Sequence, residues 1–207
     1  MFVSQRGWKL VISGALGGAV LGVVARLWMR WISTDPEFTW GGTIGIVIAF
    51  TTFATTQTAI YVLRRRVRTR RFTTAIRGVG IIFSLPLFTA AGAIMFPTVA
   101  LTSIALWQNK MDRKVRIALY GIGSIIPILQ MKEFISNFGW TIATLGRATL
   151  FLLIYLIVVM LLKPTISPFT GEPSSKRSNR LRGILIIVLL LVITLLFLFF
   201  TIGISVG

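Results

Sequence analysis

The chain has 207 residues, of which 55% are hydrophobic, and its 22 Lys and Arg against five Asp and Glu give a net charge of +17. This apolar share exceeds the ~45–50% of soluble domains, and several runs approach the ~20 residues that cross a bilayer as a helix. Cysteine and histidine are absent, which excludes disulfides, thiolate chemistry, the common zinc ligands and the commonest general base. We expect an all-α integral membrane protein with no metal, no cofactor and no enzymatic activity.

The first predicted membrane segment runs from about residue 10 to residue 31 and carries a glycine repeat. Gly14, Gly18 and Gly22 are spaced four residues apart. This spacing lines small residues along one stripe of a helix and lets another helix approach closely. Packing within the chain is the interpretation we favour, and an interface with another subunit is the alternative.

The second predicted segment, residues 43–63, is rich in hydroxyl groups and contains Thr55, Gln57 and Thr58. Threonine in a membrane helix often bonds to a carbonyl of its own backbone. The Gln57 amide is harder to leave facing lipid, so we expect it to meet another helix. Hydrogen bonding between helices is therefore favoured over the alternative, a polar permeation path along this segment.

A run of arginines follows the second segment directly. Its members are Arg64, Arg65, Arg66, Arg68, Arg70 and Arg71. By composition the run resembles a nucleic-acid-binding patch. Directly after a membrane segment, such a run is typical of contact with anionic lipid headgroups and of anchoring the topology. We expect membrane lipids as partners and no nucleic acid.

The apolar stretch over residues 78–107 is too long for one crossing. As a single helix it would be ~45 Å long at ~1.5 Å per residue, against a hydrocarbon core of ~30 Å. Proline is well suited to the first turn of a helix, so Pro97 marks the start of a new one. We predict a third segment over residues 78–96 and a short or re-entrant segment near residues 97–107.

Further segments are predicted at about residues 115–131 and 140–162, followed by a polar, basic cytoplasmic loop at 164–182 and a last segment at 183–204. Dividing the long stretch in two places 18 of the 22 cations on one side, as the positive-inside rule requires. The sequence thus predicts about seven transmembrane segments, six full and one short, in a single helical domain over residues 1–207. The N-terminus is then cytoplasmic and the C-terminus outside.

Three arginines, Arg26, Arg30 and Arg147, fall on the predicted outer side of the membrane. An arginine in the hydrocarbon is costly, so such residues snorkel, pair or mark a site. Snorkelling or a structural ion pair is the interpretation we favour. A shared pocket for an anion or a lipid phosphate, built from these three side chains, is the alternative.

The segment over residues 14–50, with Ala25-Arg26, Met29-Arg30 and the run Pro36-Glu37-Phe38-Thr39-Trp40-Gly41-Gly42-Thr43, resembles a family of bacterial polytopic membrane proteins of actinobacterial type. The likeness covers under a fifth of the chain. It implies a location in the bacterial plasma (inner) membrane and implies no substrate.

Few residues are suited to chemistry, because the five acidic residues all fall in predicted loops or at segment ends. We expect a non-enzymatic accessory or scaffold subunit of a larger membrane complex, with lipid or pigment contacts. Its partners would be other membrane subunits or further copies of the chain. The alternative is a small channel or transporter for an anion or a neutral solute, with Arg26, Arg30 and Arg147 at its outer mouth and Gln57 further in.

Overall fold

The structure is a computed structural model that describes residues 5–33, 39–65, 70–90, 95–108 and 111–167. These residues form helices and contain no strand. The helices are α1 (Gln5–Ile32), α2 (Trp40–Arg64), α3 (Arg70–Ile82), α4 (Leu85–Ala90), α5 (Met95–Trp107), α6 (Arg113–Phe138), α7 (Ile142–Leu161) and α8 (Lys163–Ile166). The last predicted segment and most of the predicted 164–182 loop lie outside the described residues.

Four stretches of the described chain are long and apolar enough to cross a membrane. They are Gly7–Ile32, Trp40–Arg64, Arg113–Phe138 and Ile142–Ile166. The last of these joins α7 and α8. Over the described residues the prediction of an all-helical fold is confirmed, and the four stretches have the length and composition of membrane-spanning helices.

The glycine stripe of α1 packs against the backbone of α2. A Cβ atom added to Gly18 would lie 2.7 Å from the carbonyl oxygen of Phe50, and one added to Gly22 would lie 2.8 Å from the Cα of Val47. A Cβ atom added to Gly14 would overlap the side chain of Thr58, which lies on α2 one turn beyond Ala54. The stripe is therefore used within the chain, where it allows the two helix backbones to touch.

The stretch over residues 78–107 folds differently from the prediction, because its first part does not form one long helix. Pro86 lies in the first turn of α4, and its missing N–H cannot bond to the carbonyl of Ile82, the last residue of α3. The helix breaks there. The apolar stretch that contains this break, Thr74–Thr89, and the next one, Met95–Trp107, each have between 10 and 17 residues, fewer than the ~20 of a full crossing.

Together α3, α4 and α5 form what we call the short hairpin, whose two ends lie at the same end of the bundle. Near its start, Arg77 donates a hydrogen bond to the carbonyl oxygen of Ile166 at 2.9 Å. Just after its end, Gln108 donates to the same oxygen at 3.3 Å. At the other extreme, the Phe88 ring packs on Phe53, near the middle of α2, at 6.4 Å between centroids. The described part of the hairpin therefore reaches about halfway along α2.

The end of α6 also differs from the prediction, which placed it at Met131. The helix continues to Phe138 and stops at Gly139, whose φ of +66° is accessible to glycine without strain. Thr141 then caps α7 by accepting a hydrogen bond from the backbone N–H of Thr144 at 3.1 Å. The turn between α6 and α7 is therefore set by a glycine and a threonine rather than by the charged residues that follow Met131.

Candidate functional site

A buried group of polar side chains, here called the inner polar cluster, consists of Gln57, Ser84 and Thr165. The Gln57 amide nitrogen donates to the Ser84 hydroxyl at 3.2 Å, and its carbonyl oxygen accepts from the Thr165 hydroxyl at 2.6 Å. The Ser84 hydroxyl donates in turn to the carbonyl oxygen of Gly80 at 2.6 Å. All three side chains are buried. The cluster therefore ties α2 to the break in the hairpin and to α8.

The threonines singled out beside Gln57 bond to their own helix. Thr55 donates to the carbonyl oxygen of Thr51 at 2.6 Å, and Thr58 donates to that of Ala54 at 2.7 Å. Such bonds satisfy the hydroxyl without a partner helix. The hydroxyl groups of Thr55 and Thr58 are thus occupied by hydrogen bonds within α2.

Two arginines hold the end of α8. The Arg64 guanidinium donates to the carbonyl oxygen and the hydroxyl of Ser167 at 2.9 and 3.0 Å, and it also contacts the carbonyl of Pro164. Arg77 contacts the carbonyls of Ile166 and Ser167. The last carbonyls of a helix lack partners within it and carry partial negative charge. These cations therefore complete the short helix.

The other arginines of the basic run have separate surroundings. Arg65 is exposed and lies over the ring of Tyr61 on its own helix, 4.4 Å from the ring centre. Arg66 and Arg68 lie outside the described residues, as do the side chains of Arg70 and Arg71. Of the two whose side chains are described, Arg64 bonds within the protein and Arg65 is exposed.

The arginines predicted to lie on the outer side have different partners. The Nε of Arg26 donates to the hydroxyl of Thr43 on α2 at 3.1 Å. The Arg147 guanidinium lies over the rings of Phe138 and Trp31, 3.9 and 5.4 Å from their centres. Its buried Nε has no hydrogen-bond partner among the described residues. The structure therefore engages Arg26 with α2 and Arg147 with aromatic rings, instead of gathering both around one pocket.

A second polar contact joins α5, α6 and α7 around a proline. Because Pro127 lacks an N–H, the carbonyl of Gly123, four residues earlier, loses its helix hydrogen bond. The Tyr155 hydroxyl donates to that carbonyl at 3.1 Å and lies 2.9 Å from the hydroxyl of Thr102. The spacing of glycine and proline is visible in the sequence, but the tyrosine that satisfies the carbonyl comes from another helix.

We expect Tyr155→Phe to destabilise the fold by about 1–3 kcal/mol, the usual effect of leaving a buried acceptor unsatisfied. In a Pro127→Ala background the restored N–H can bond to Gly123, so the same substitution should have a smaller effect. Denaturant titration of the four proteins in detergent measures the difference. Equal effects of Tyr155→Phe in both backgrounds would contradict this account of the contact.

A cavity of about 450 Å³ lies over the tip of the short hairpin, within the ~300–1,000 Å³ of small-molecule sites. The hairpin forms its floor through Leu87, Phe88, Met95 and Val99. The walls come from α1, α6 and α7, with Phe50 of α2 beside the floor. The described part of the hairpin reaches about halfway along α2, and no described helix fills the space above it.

The wall of the cavity is aromatic and rigidly held. The Trp28 ring stacks on Phe151 at 5.4 Å between centroids and meets the edge of Phe134 at 5.9 Å. Its indole N–H donates to the backbone carbonyl of Arg147 at 2.9 Å. Because its indole N–H is already hydrogen-bonded, Trp28 presents only apolar ring atoms to the cavity.

The polar part of the lining is at the end of the cavity near the α6–α7 turn. Gln130 donates to a carboxylate oxygen of the exposed Glu133 at 2.8 Å. Glu133 is the one charged residue of this lining, and Arg26, Arg30 and Arg147 are not part of it. The sequence places Glu133 at the end of an apolar run, but only the packing of α1, α6 and α7 shows that it borders a cavity.

Comparison with known proteins yields no match: no protein-family model and no curated protein matches the sequence, and no solved structure matches the fold. The functional assignment therefore rests on the contacts described above.

Proposed function

We propose that the chain is a non-enzymatic, polytopic membrane protein that serves as an accessory or scaffold subunit of a larger membrane complex. The observation that carries the proposal is the use of the interior polar groups. Gln57, Ser84 and Thr165 bond to one another, and Arg64 and Arg77 bond to carbonyls of α8. Groups committed to holding helices together support a structural role.

The outer face of α1 supports the same proposal. Opposite the glycine stripe, this helix carries a row of exposed apolar side chains, among which Leu16, Val20 and Leu27 are 64%, 65% and 62% exposed. Lipid is as apolar as these side chains, so helices associate in membranes through close packing rather than hydrophobicity. The row is continuous and uncharged, and we propose that it contacts lipid, another subunit or a second copy of the chain.

For the topology we propose that α1, α2, α6, α7 with α8, and the segment over residues 183–204 each cross the membrane. The two arms of the short hairpin are then the remaining two of the seven segments, and both enter from the cytoplasmic side. This arrangement keeps the basic loops cytoplasmic, with the N-terminus inside and the C-terminus outside. The bacterial plasma membrane, which the resemblance of residues 14–50 implies, belongs to the same proposal.

The alternative, a channel or transporter for an anion or a neutral solute, has less support. It requires Gln57 and the α2 threonines along a path, and these side chains are engaged within the protein. It also places arginines at an outer mouth, whereas Arg26 and Arg147 have separate partners.

A site-specific crosslink tests the accessory role. Because the chain contains no cysteine, Val20→Cys introduces a single thiol on the exposed row of α1, to which a photoreactive maleimide is attached. We expect protein adducts, identified by mass spectrometry after mild purification, at yields at least tenfold above those from Ile125→Cys. Ile125 is an exposed apolar residue on α6 and serves as the matched control. Lipid adducts alone at both positions would contradict the proposal.

A further inference from the structure

We propose that the cavity above the short hairpin binds an amphipathic amine, a molecule with one apolar body and an ammonium head. The inference goes beyond the accessory role and concerns the cavity alone, so it holds whether or not the chain has a partner subunit. It rests on three features, which are the apolar depth of the cavity, the placement of its single carboxylate and the orientation of the neighbouring cations.

The depth of the cavity suits the body of the ligand. Along α6, the lining residues Ile126, Leu129, Gln130 and Glu133 follow the spacing that places side chains on one face of a helix. From Ile126 to Glu133 this face is roughly 10 Å long. Below Gln130 the lining carries no charge, and its walls are aromatic and aliphatic. An apolar body entering past Glu133 therefore meets apolar side chains along this length.

The selectivity of the cavity among amphipathic ligands must come from the polar head of the ligand. Lipid chains are as apolar as the cavity, so transfer of an apolar body from the bilayer supplies packing contacts and little hydrophobic driving force. The group that distinguishes one amphiphile from another is the Glu133 carboxylate. Gln130 donates to one of its oxygens, Oε2, at 2.8 Å, which fixes its position at the mouth. Its other oxygen has no donor among the described residues and is left for a hydrogen-bonding cation.

The nearby cations do not compete for that oxygen. Lys132 is exposed and lies one residue from Glu133, about 100° around the helix. Arg30 lies two positions from both Trp28 and Ile32, which line the cavity, and so projects from the opposite face of α1. The Arg147 guanidinium lies over the Phe138 ring. The charge of the mouth is therefore negative, and charge-assisted hydrogen bonds favour an ammonium over a neutral or anionic head.

Trp28 provides the readout, because it lines the cavity and bromine quenches indole fluorescence on contact. The probes are three undecyl chains brominated at their middle carbons, with an amine, an alcohol or a carboxylate head. They are added to the purified chain in nanodiscs of zwitterionic lipid. Subtracting the signal of Trp28→Phe removes the contribution of the other tryptophans. We expect the amine to quench Trp28 at a concentration at least tenfold lower than the carboxylate requires, with the alcohol between them.

Two variants and one control test whether Glu133 causes the preference for the amine and whether the probe binds in the cavity. Glu133→Gln should remove the preference, bringing the three concentrations within about twofold of one another. Asp112→Asn removes an equal charge from the far end of α6, where Asp112 accepts from the N–H of Arg113, and should keep the preference. Ile126→Phe adds volume inside the cavity at a half-buried position and should abolish quenching of Trp28 by all three probes.

Other outcomes overturn the proposal. If none of the probes quenches Trp28, the cavity does not admit such a ligand. If the three probes quench it equally in the unmodified chain, the head is not recognised. If the amine preference survives Glu133→Gln, recognition lies outside the proposed mouth. Retention of quenching in Ile126→Phe, measured on protein that unfolds at the same denaturant concentration as the unmodified chain, would place the probe elsewhere.

Discussion

Replacement of Gly18 by leucine is expected to separate α1 from α2 and to destabilise the protein by about 3 kcal/mol or more. The reason is that even a Cβ atom at this position would lie 2.7 Å from a backbone oxygen of Phe50 and 2.9 Å from the Cα of Thr51. Backbone atoms cannot turn aside as the end of a side chain can, so the helices must move apart. Overpacking of a well-filled interface typically costs ~1–3 kcal/mol, and more where the backbone must shift.

The neighbouring Gly17 supplies the control. It is exposed, and a Cβ atom there has nothing within 4 Å. Gly17→Leu should therefore be neutral or stabilising by up to ~1 kcal/mol, because glycine disfavours the helix by about that amount. Unfolding of both variants in mixed detergent micelles measures the contrast. Similar stabilities for the two would show that α1 does not pack on α2 through this stripe.

The second large effect is expected at Gln57. Its replacement by leucine keeps most of the volume and removes the acceptor of the Thr165 hydroxyl, which is held at 2.6 Å. We expect a loss of about 1–3 kcal/mol, the usual range for a buried polar group left without its partner. The loss should also free α8 from α2, and proteolysis near residue 167 should become faster.

A double-mutant cycle separates the hydrogen bond from the packing. Replacing both partners of a buried bond with apolar groups of similar shape can be nearly neutral, so Gln57→Leu with Thr165→Val should be less destabilising than the two single effects combined. A coupling of at least ~0.5 kcal/mol is expected for residues in contact. Thr55→Val, which removes a hydroxyl bonded only to its own helix, should change stability by less than that. Additive effects in the cycle would refute the contact.

The parts of the fold that could be predicted depend on local periodicity and length. The apolar runs predicted helices, and α1, α2, α6 and α7 occupy the expected parts of the chain. The spacing of Gly14, Gly18 and Gly22 predicted a close helix contact because four residues bring side chains to one face of any helix. Packing within the chain was the favoured interpretation, but the partner helix, α2, could not be inferred.

The parts that could not be predicted depend on contacts between distant residues. Residues 78–96 are apolar enough for a crossing, and only the position of Phe88 beside Phe53 shows that the chain turns back halfway. Glu133 could be assigned no role, because the cavity that it borders is formed by α1, α6, α7 and the hairpin together. The roles of Arg64 and Arg77 were missed for the same reason, since their partners lie 103 and 89 residues further along the chain.

The position of α8 in the chain has a consequence for biosynthesis. Thr165 of α8 packs against Gly80, where a Cβ atom would lie 2.4 Å from its hydroxyl, and the end of α8 accepts hydrogen bonds from Arg77 and Gln108. Synthesis proceeds from the N-terminus, so the ribosome has completed both arms of the short hairpin well before it adds residue 163. A nascent chain stopped there carries the hairpin without the helix that holds its two ends. Because α8 is the last of the described helices to be synthesised, the end of the bundle that contains Arg77 and Gln108 closes late.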